Sequence, residues 1–210
     1  MELAGLLCHA GNSYACRSKH EILTVQEESL KCLEIAKTTL EGAGIEVKAC
    51  STGDSPGCSI SDSFAPATEI RPGNFVYYDC MQMQITSCGW EDIAVALAAP
   101  VISVRPEKGQ LILHGGAVHL SKDHLQDEQG FFYGKLARPC SKGWSEEIDG
   151  LRLEKLSQEH GIVKGSAELI ASFKPGDLLM VLPVHSCLTV DLMREAYLPD
   201  GSPVDGRPKG

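Results

Sequence analysis

Several features that would define a class of function are missing from this 210-residue sequence. No apolar run approaches the length of about 20 residues that spans a membrane. The first residues, "MELAGLLCHAG", lack the basic leader and the long apolar core of a secretory signal. Lys and Arg number 19 against 28 Asp and Glu, so the formal charge is -9 and the clustered cations that nucleic-acid phosphates require are lacking. The sequence therefore predicts a protein that binds neither membranes nor nucleic acids.

Regular cysteine spacing is also missing. The nine Cys are scattered and form no CxxC pair, which in a chain of this length is typical of reduced thiols rather than of a disulfide framework. A GKS or GKT sequence is absent as well, which argues against a nucleotide-triphosphate site. We therefore expect a cytoplasmic protein with an ordinary core, since 43% of its residues are hydrophobic.

Residues 1–67 have the pattern of an α/β fold. Apolar residues recur mainly on one face of residues 24–44, and Gly42 and Gly44 mark the end of that helix. Short apolar stretches, "LAGLLC" before the helix and "IEVKAC" after it, are typical of strands, and each leads into a polar loop. This strand–loop–helix–strand–loop unit indicates a parallel sheet or barrel.

Residues 68–210 have the pattern of a mostly antiparallel β domain. Short β-rich runs alternate with turn residues, and "PEKGQ" is typical of a hairpin turn. The sequence indicates only one further short helix, within "GWEDIAVAL". Because two strands and one helix cannot close a barrel, residues 1–67 either dock against this β domain or belong to something larger.

Two polar loops follow the two predicted strands. "CSTGDSPG", residues 50–57, offers hydroxyls, and Gly53 would let backbone N–H groups approach an anion closely. Such a loop at the carboxyl end of a parallel strand is where α/β folds bind phosphate, although a plain turn rich in Ser and Gly is the alternative. His9, Ser13 and Tyr14, in "CHAGNSY", could line the same mouth.

A His–Cys pair ends the apolar run "GDLLMVLPVHSCLTVDLM", residues 176–193. The run predicts a buried strand, on which His185 and Cys187 would point to the same side. Imidazole and thiolate are ligands that zinc prefers, and two protein ligands would leave an open, catalytic type of site; the alternative is a half-buried His beside a core Cys. His160 could be a third ligand or a substrate contact. Further available side chains are His114, His119 and Asp123.

Six segments in order resemble a known family. They are "HAGNSY", "STGDSPG", "EIRPGNFVYYDCMQ", "VISVRPEKGQLILHGGAVHLSKD", "SQEHGIV" and "GDLLMVLPVHSCLTVDLM". Together they resemble the C-terminal half of eukaryotic-type D-serine dehydratase and its relative D-threonine aldolase, over nearly the whole chain. The resemblance implies an α/β then mostly β fold: residues 1–67 as the last strands of a partial alanine-racemase-like TIM barrel, and residues 68–210 as an antiparallel β domain with a metal site.

The resemblance also implies cofactors and site residues. The "STGDSP" loop matches the loop that cradles the phosphate of pyridoxal phosphate in the family. The cofactor-binding residues implied are Tyr14, Gly53, Asp54 and Ser55. His185 and Cys187 match the zinc pair of the dehydratase branch, whereas the aldolase branch typically carries Asp at the second position. The implied reaction is removal of water from D-serine or another D-hydroxyamino acid, and a homodimer is a further expectation.

The chain departs from the family pattern in two places. The family's Schiff-base Lys lies in an Arg-Pro-His-x-Lys-Thr-His-like segment that nothing here matches, because "LARPCSKGW" is in the wrong place and lacks the His. The family loop usually continues Ser-Thr-Pro-Thr, whereas here Pro56 is followed by Gly57. We therefore expect an incomplete, catalytically inactive form of a D-serine dehydratase-like lyase. The alternatives are a D-threonine aldolase-like lyase and a non-catalytic zinc-binding or dimerisation domain.

Overall fold

The computed structural model describes residues 3–204, which form two compact units. One unit comprises the residues through Tyr78 together with Gln82–Asp92, and the other comprises Asp79–Met81 and the residues from Ile93 onward. In the described part of the chain, no helix is both long and apolar enough to cross a membrane.

The first unit is built on three short parallel strands. The strands and α-helices within residues 3–92 are β1 (Leu6–Cys8), α1 (Lys19–Gly42), β2 (Cys50–Thr52), α2 (Ser55–Ile60), β3 (Glu69–Ile70) and α3 (Cys80–Ile85). The sheet order is β1-β2-β3, with both pairings parallel. The predicted parallel α/β pattern is therefore confirmed, with a third strand added beyond residue 67.

The long helix α1 follows from its capping and its apolar face. Ser18 caps the N-terminus by accepting a hydrogen bond from the Glu21 N–H at 3.3 Å. At the other end Gly44 adopts a φ of +79°, a left-handed conformation that glycine reaches at little cost. The helix predicted over residues 24–44 is confirmed, and it begins more than one turn earlier because the cap lies at Ser18.

The second unit is dominated by a seven-stranded antiparallel sheet of order β10-β11-β5-β4-β12-β8-β9. Its elements are β4 (Leu97–Arg105), β5 (Gln110–His114), α4 (Ala117–Leu120), β6 (Leu125–Asp127), β7 (Gly130–Phe132), β8 (Gly134–Cys140), β9 (Gly143–Glu147), β10 (Arg152–Leu156), β11 (His160–Lys164), α5 (Ala167–Ala171), β12 (Leu178–Pro183) and α6 (Ser186–Met193). Strands β6 and β7 form a separate hairpin. The predicted antiparallel β domain is confirmed.

Alternation along the strands places one face of this sheet in the core. Leu111 and Leu113 in β5, like Leu179 and Val181 in β12, are fully buried. Burying each such side chain contributes about 1.5–3 kcal/mol. The predicted hairpin turn at "PEKGQ" joins β4 to β5, with Gly109 at a φ of +58°.

The run 176–193 is not one strand, so this part of the sequence prediction is wrong. β12 ends at Pro183, which has no N–H to continue a strand ladder, and α6 begins at Ser186. His185 is therefore the N-cap of a helix and Cys187 lies in its first turn, instead of alternating on a strand. Apolar residues in a run this short do not separate a period of 2 from one of 3.6.

One further expectation differs from the structure. The helix expected within "GWEDIAVAL" is a single 3₁₀ turn, Trp90–Asp92, before β4. The assignment of residues 1–67 to a cofactor-binding barrel and of residues 68–210 to a metal-binding β domain stays a prediction.

Candidate cofactor loop and metal-binding pair

The loop between β2 and α2 is buried along its whole length, from Ser51 to Gly57. Asp54 is the N-cap of α2, and its Oδ1 accepts a hydrogen bond from the Gly57 N–H at 2.7 Å. The same oxygen accepts from the Ser13 hydroxyl at 2.8 Å. Asp54 therefore links the loop after β1 to the start of α2.

Two more side chains from the loop after β1 reach the loop after β2. Nδ1 of His9 lies 2.5 Å from the Gly53 carbonyl oxygen. The Ser55 N–H donates to the Tyr14 hydroxyl at 3.5 Å, the upper limit for such a bond. Because the carboxyl ends of neighbouring parallel strands lie together, the two loops meet as the sequence predicts.

Gly53 is glycine because the backbone of Arg71 leaves no room for a side chain. A Cβ at position 53 would lie 2.7 Å from three backbone atoms of Arg71. The guanidinium of Arg71 in turn donates to the Ser51 hydroxyl at 2.5 Å and to the Cys8 carbonyl oxygen at 2.9 Å. A partly exposed cation thus joins the ends of the parallel strands beside the loop. Sequence reasoning missed Arg71, because no loop motif marks it.

The hydroxyl of Ser55 anchors the loop to the next segment. It is buried and accepts a hydrogen bond from the Asn74 N–H at 2.9 Å. The side chain of Ser55 therefore fixes the loop conformation, while its N–H lies at the Tyr14 hydroxyl. An amide N–H and a phenol are donors that suit a phosphate group, so the residues present fit the phosphate of pyridoxal phosphate.

In the second unit, His185 is oriented by a carboxylate. Its Nδ1 lies 3.1 Å from Oδ2 of Asp123, and the two side chains are 34% and 43% exposed. This arrangement leaves Nε2 of His185 available for another partner, and metal-ligating histidines generally donate their other ring N–H to a carboxylate, a backbone carbonyl or a water. Cys187, partly exposed, lies two residues further on in α6. Imidazole and thiol together fit a zinc ion.

Asp79 holds the start of α6. Its carboxylate is 1% exposed, and Oδ2 accepts from the Ser186 N–H at 3.0 Å. The neighbouring thiol of Cys80 donates to the Leu182 carbonyl oxygen at 3.3 Å, and burial raises the pKa of this thiol to about 12. Cys80 is therefore a neutral core group. Sequence reasoning missed the contact between Asp79 and Ser186 because the two residues are 107 positions apart.

His160 lies with two other histidines. It pairs across β11 and β5 with His114, whose ring centroid is 6.2 Å away, and His114 lies 5.2 Å from His119. Burial, and next the neighbouring His114, lower the pKa of His119. Within residues 3–204, no group of three or more His, Cys, Asp and Glu side chains could hold a metal ion. The suggestion that His160 is a third ligand of the His185 pair, or a substrate contact, stays a prediction.

The sequence of the second unit matches a known family. The family model described as "Putative serine dehydratase domain" matches residues 94–198, which is half of the chain. The chain belongs to this family. The matched segment contains the Asp123–His185 pair and Cys187, so the family region includes the whole candidate metal-binding pair.

Curated relatives carry dehydratase names. D-threo-3-hydroxyaspartate dehydratase of Delftia sp. is 30% identical over 197 residues, which cover 90% of this chain and 50% of that protein. D-serine dehydratase of Dictyostelium discoideum is 28% identical over 208 residues, covering 94% of this chain and 51% of the relative. The chain thus spans about half the length of the curated relatives it matches.

Solved structures support the fold assignment. The Delftia dehydratase is 29% identical with a TM-score of 0.88, covering 97% of this chain and 55% of that one. An alanine racemase-like protein from Idiomarina loihiensis is 29% identical with a TM-score of 0.87, covering 96% and 54%. The predicted combination of a partial alanine-racemase-like barrel and an antiparallel β domain is confirmed. Two solved variants of a D-threo-3-hydroxyaspartate dehydratase replace a cysteine, in a metal-free form, and a histidine two positions earlier, each by alanine.

Proposed function

We propose that the chain carries the metal-holding part of a pyridoxal-phosphate-dependent lyase that removes water from D-serine or another D-hydroxyamino acid, giving pyruvate and ammonia from D-serine. The observation that carries this proposal is the contact of Asp123 with His185, because His185 lies two residues before Cys187. Solved variants of a D-threo-3-hydroxyaspartate dehydratase replace a histidine and a cysteine at the same spacing, the cysteine variant in a metal-free form, which supports a shared metal pair.

In this proposal His185 and Cys187 hold zinc. The 3.1 Å contact with Asp123 fixes the ring of His185 and leaves Nε2 for the metal. The cap that Asp79 provides holds the start of α6, and therefore both ligands, in place. Zinc, when bound, polarises the substrate hydroxyl so that it can leave.

Tyr14, Gly53, Asp54 and Ser55 are proposed to hold the cofactor phosphate. The Ser55 N–H and the Tyr14 hydroxyl are the proposed donors, while Asp54 acts as the cap that shapes the loop, since its Oδ1 already accepts two hydrogen bonds. Pyridoxal phosphate, when bound, serves as an electron sink for the α-carbon of the substrate.

The remaining expectations complete this proposal. Residues 1–67 would contribute the end of the cofactor-binding barrel and residues 68–210 the β domain. Cysteine usage supports a cytoplasmic location, and a homodimer follows from the family resemblance alone.

The metal pair is tested by zinc content. Purified wild-type chain is expected to bind one zinc ion, and His185→Ala and Cys187→Ala to bind none. Cys140→Ala is the matched control, because this cysteine is exposed elsewhere in the second unit and should leave zinc content unchanged. Zinc retained in both site variants would show that the pair only packs at the start of α6.

The reaction is tested by product release. The chain alone, with zinc and pyridoxal phosphate added, is expected to release no ammonia from D-serine, because it contains no match to the family's Lys segment. Measurable ammonia would contradict this expectation. Glycine and acetaldehyde from D-threonine would indicate an aldolase instead, although the aldolase branch typically has Asp where this chain has Cys187. Zinc binding without cofactor binding would favour a non-catalytic metal-binding domain.

A further inference from the structure

Two buried polar side chains meet at the candidate cofactor loop, in the first unit. Gln26, on the buried face of α1, is 2% exposed, and neither Oε1 nor Nε2 has a hydrogen-bond partner. Asp54 is also 2% exposed, and its Oδ2 lacks a partner. Leaving such groups unpaired costs about 1–3 kcal/mol each, and more when the group is charged, so the pattern calls for an explanation.

The geometry around Gly57 shows that these two groups are neighbours. A Cβ at position 57 would lie 2.4 Å from Oε1 of Gln26, and 3.0 and 3.1 Å from the two carboxylate oxygens of Asp54. The amide of Gln26 and the carboxylate of Asp54 therefore border one point. That point is where a side chain at position 57 would begin.

Asp54 needs a donor on its second oxygen. Its Oδ1 accepts from the Ser13 hydroxyl and from the Gly57 N–H, whereas Oδ2 is buried without a donor. Rotation about the last torsion of Gln26 exchanges the positions of its amide oxygen and nitrogen, which have nearly the same shape. In that orientation an amide N–H of Gln26 takes the place of Oε1, at the point that the carboxylate of Asp54 also borders.

We propose that Gln26 is a positioning residue for the cofactor loop: its amide N–H donates to Oδ2 of Asp54 and fixes the cap of α2, and with it residues Gly53 to Ser55. The cofactor role of the loop rests on the proposed function, whereas the hydrogen bond does not depend on it. The same amide takes the space that a side chain at position 57 would need.

An exchange of the two groups tests this hydrogen bond. Gln26→Glu places two buried carboxylates side by side, and is expected to lower the midpoint of thermal unfolding at neutral pH by about 5–10 °C. Asp54→Asn alone is expected to have a smaller effect, because Asn is also a good N-cap. The double variant restores one amide and one carboxylate, so its midpoint should return to within about 3 °C of wild type.

The exchange has one outcome that overturns the proposal. If the double variant is as unstable as Gln26→Glu, or less stable, the two side chains do not form a pair. A simple penalty for burying a carboxyl at position 26 would give that result, because the penalty does not depend on Asp54.

A second pair of substitutions tests the space around Gly57. Gly57→Ala is expected to lower the unfolding midpoint by about 3–8 °C in the wild-type background, because the added methyl meets the amide of Gln26. In a Gln26→Ala background the same substitution should cost less than half as much. Equal losses in both backgrounds would contradict the assignment of that space to Gln26.

Cofactor affinity separates this inference from the proposed function. Pyridoxal phosphate binding, followed by fluorescence quenching, is expected to weaken at least tenfold in Gln26→Glu and to recover in the double variant. Recovered stability in a chain whose wild-type form binds no pyridoxal phosphate would overturn the proposed function and leave the Gln26–Asp54 pair established. Absence of recovered stability overturns the pair, whatever the cofactor does.

Discussion

Replacing Asp79 by alanine is expected to destabilise the start of α6 and to weaken zinc binding. The carboxylate of Asp79 is 1% exposed and accepts a hydrogen bond at 3.0 Å from the N–H of Ser186, which is itself fully buried. In the alanine variant this N–H would remain buried without an acceptor. The residues on either side of Ser186 are the proposed zinc ligands, His185 and Cys187.

The magnitude follows from the chemistry of the contact. A buried hydrogen bond to a charged group contributes about 1.5–3 kcal/mol, and loss of an N-cap costs about 0.5–2 kcal/mol. Because both figures describe the same contact, they are not added, and we expect a loss of about 2 kcal/mol. For a unit of this size that corresponds to a decrease of roughly 5–10 °C in the unfolding midpoint. Asp79→Asn keeps an acceptor oxygen and should lose about 1 kcal/mol or less.

Urea unfolding of the three proteins measures their free energy of unfolding, and zinc titration with a competing chelator measures their affinity for zinc. We expect both the free energy of unfolding and the affinity for zinc to decrease in the order wild type, Asp79→Asn, Asp79→Ala. A stability loss below about 0.5 kcal/mol for Asp79→Ala would refute the reasoning, because a buried cap of this kind cannot be neutral. Unchanged zinc affinity in a destabilised variant would show that α6 does not position the ligands.

Two further predictions concern the second unit. Hydrogen bonding by Arg152, at 2.9 and 3.0 Å, holds the pKa of Asp127 below its usual value. The pair therefore stabilises the fold above the unfolded-state pKa and is lost as pH falls through the folded-state pKa. The side chain of Asp127 is 35% exposed, so the pair contributes modestly. In thermal unfolding, Asp127→Asn should lower the free energy of unfolding by about 1 kcal/mol at pH 7 and by nearly nothing near pH 2. Cys80, with its pKa raised to about 12, should resist alkylation at pH 8 until the chain unfolds, whereas the exposed Cys140 should react within minutes; modification of Cys80 in the native protein would show that its burial is not maintained.

Local patterns were sufficient to predict much of the fold. Helix α1, the parallel strands beside it and the hairpin at Gly109 depend on interactions between residues close in the chain, namely caps, periodicity and turn chemistry. The change from an α/β pattern to a β pattern was visible for the same reason. The prediction of a strand through His185 was wrong because helix α6, which follows Pro183, is as apolar as a buried strand.

The candidate site was only partly predictable. Its types of residue, a Gly- and Ser-rich loop and a His–Cys pair, are visible in the sequence and carry the family resemblance. Which side chains they pair with is not, because each partner lies far along the chain: Asp123 is 62 positions from His185, and Arg71 is 20 positions from Ser51. Arg71, Asp79 and Gln26 belong to no local motif, so nothing in the sequence distinguished them from ordinary polar residues.

The sequence by itself determined which groups are available and where the regular elements form, since both depend on residue chemistry and on spacing of a few positions. Only the tertiary structure decided which of these groups meet. It made His185 a helix cap beside a carboxylate, gave Asp54 the role of a cap, and placed the amide of Gln26 against Gly57. The physical reason is that hydrogen bonding and close packing act over a few ångströms, between side chains that the chain folding brings together.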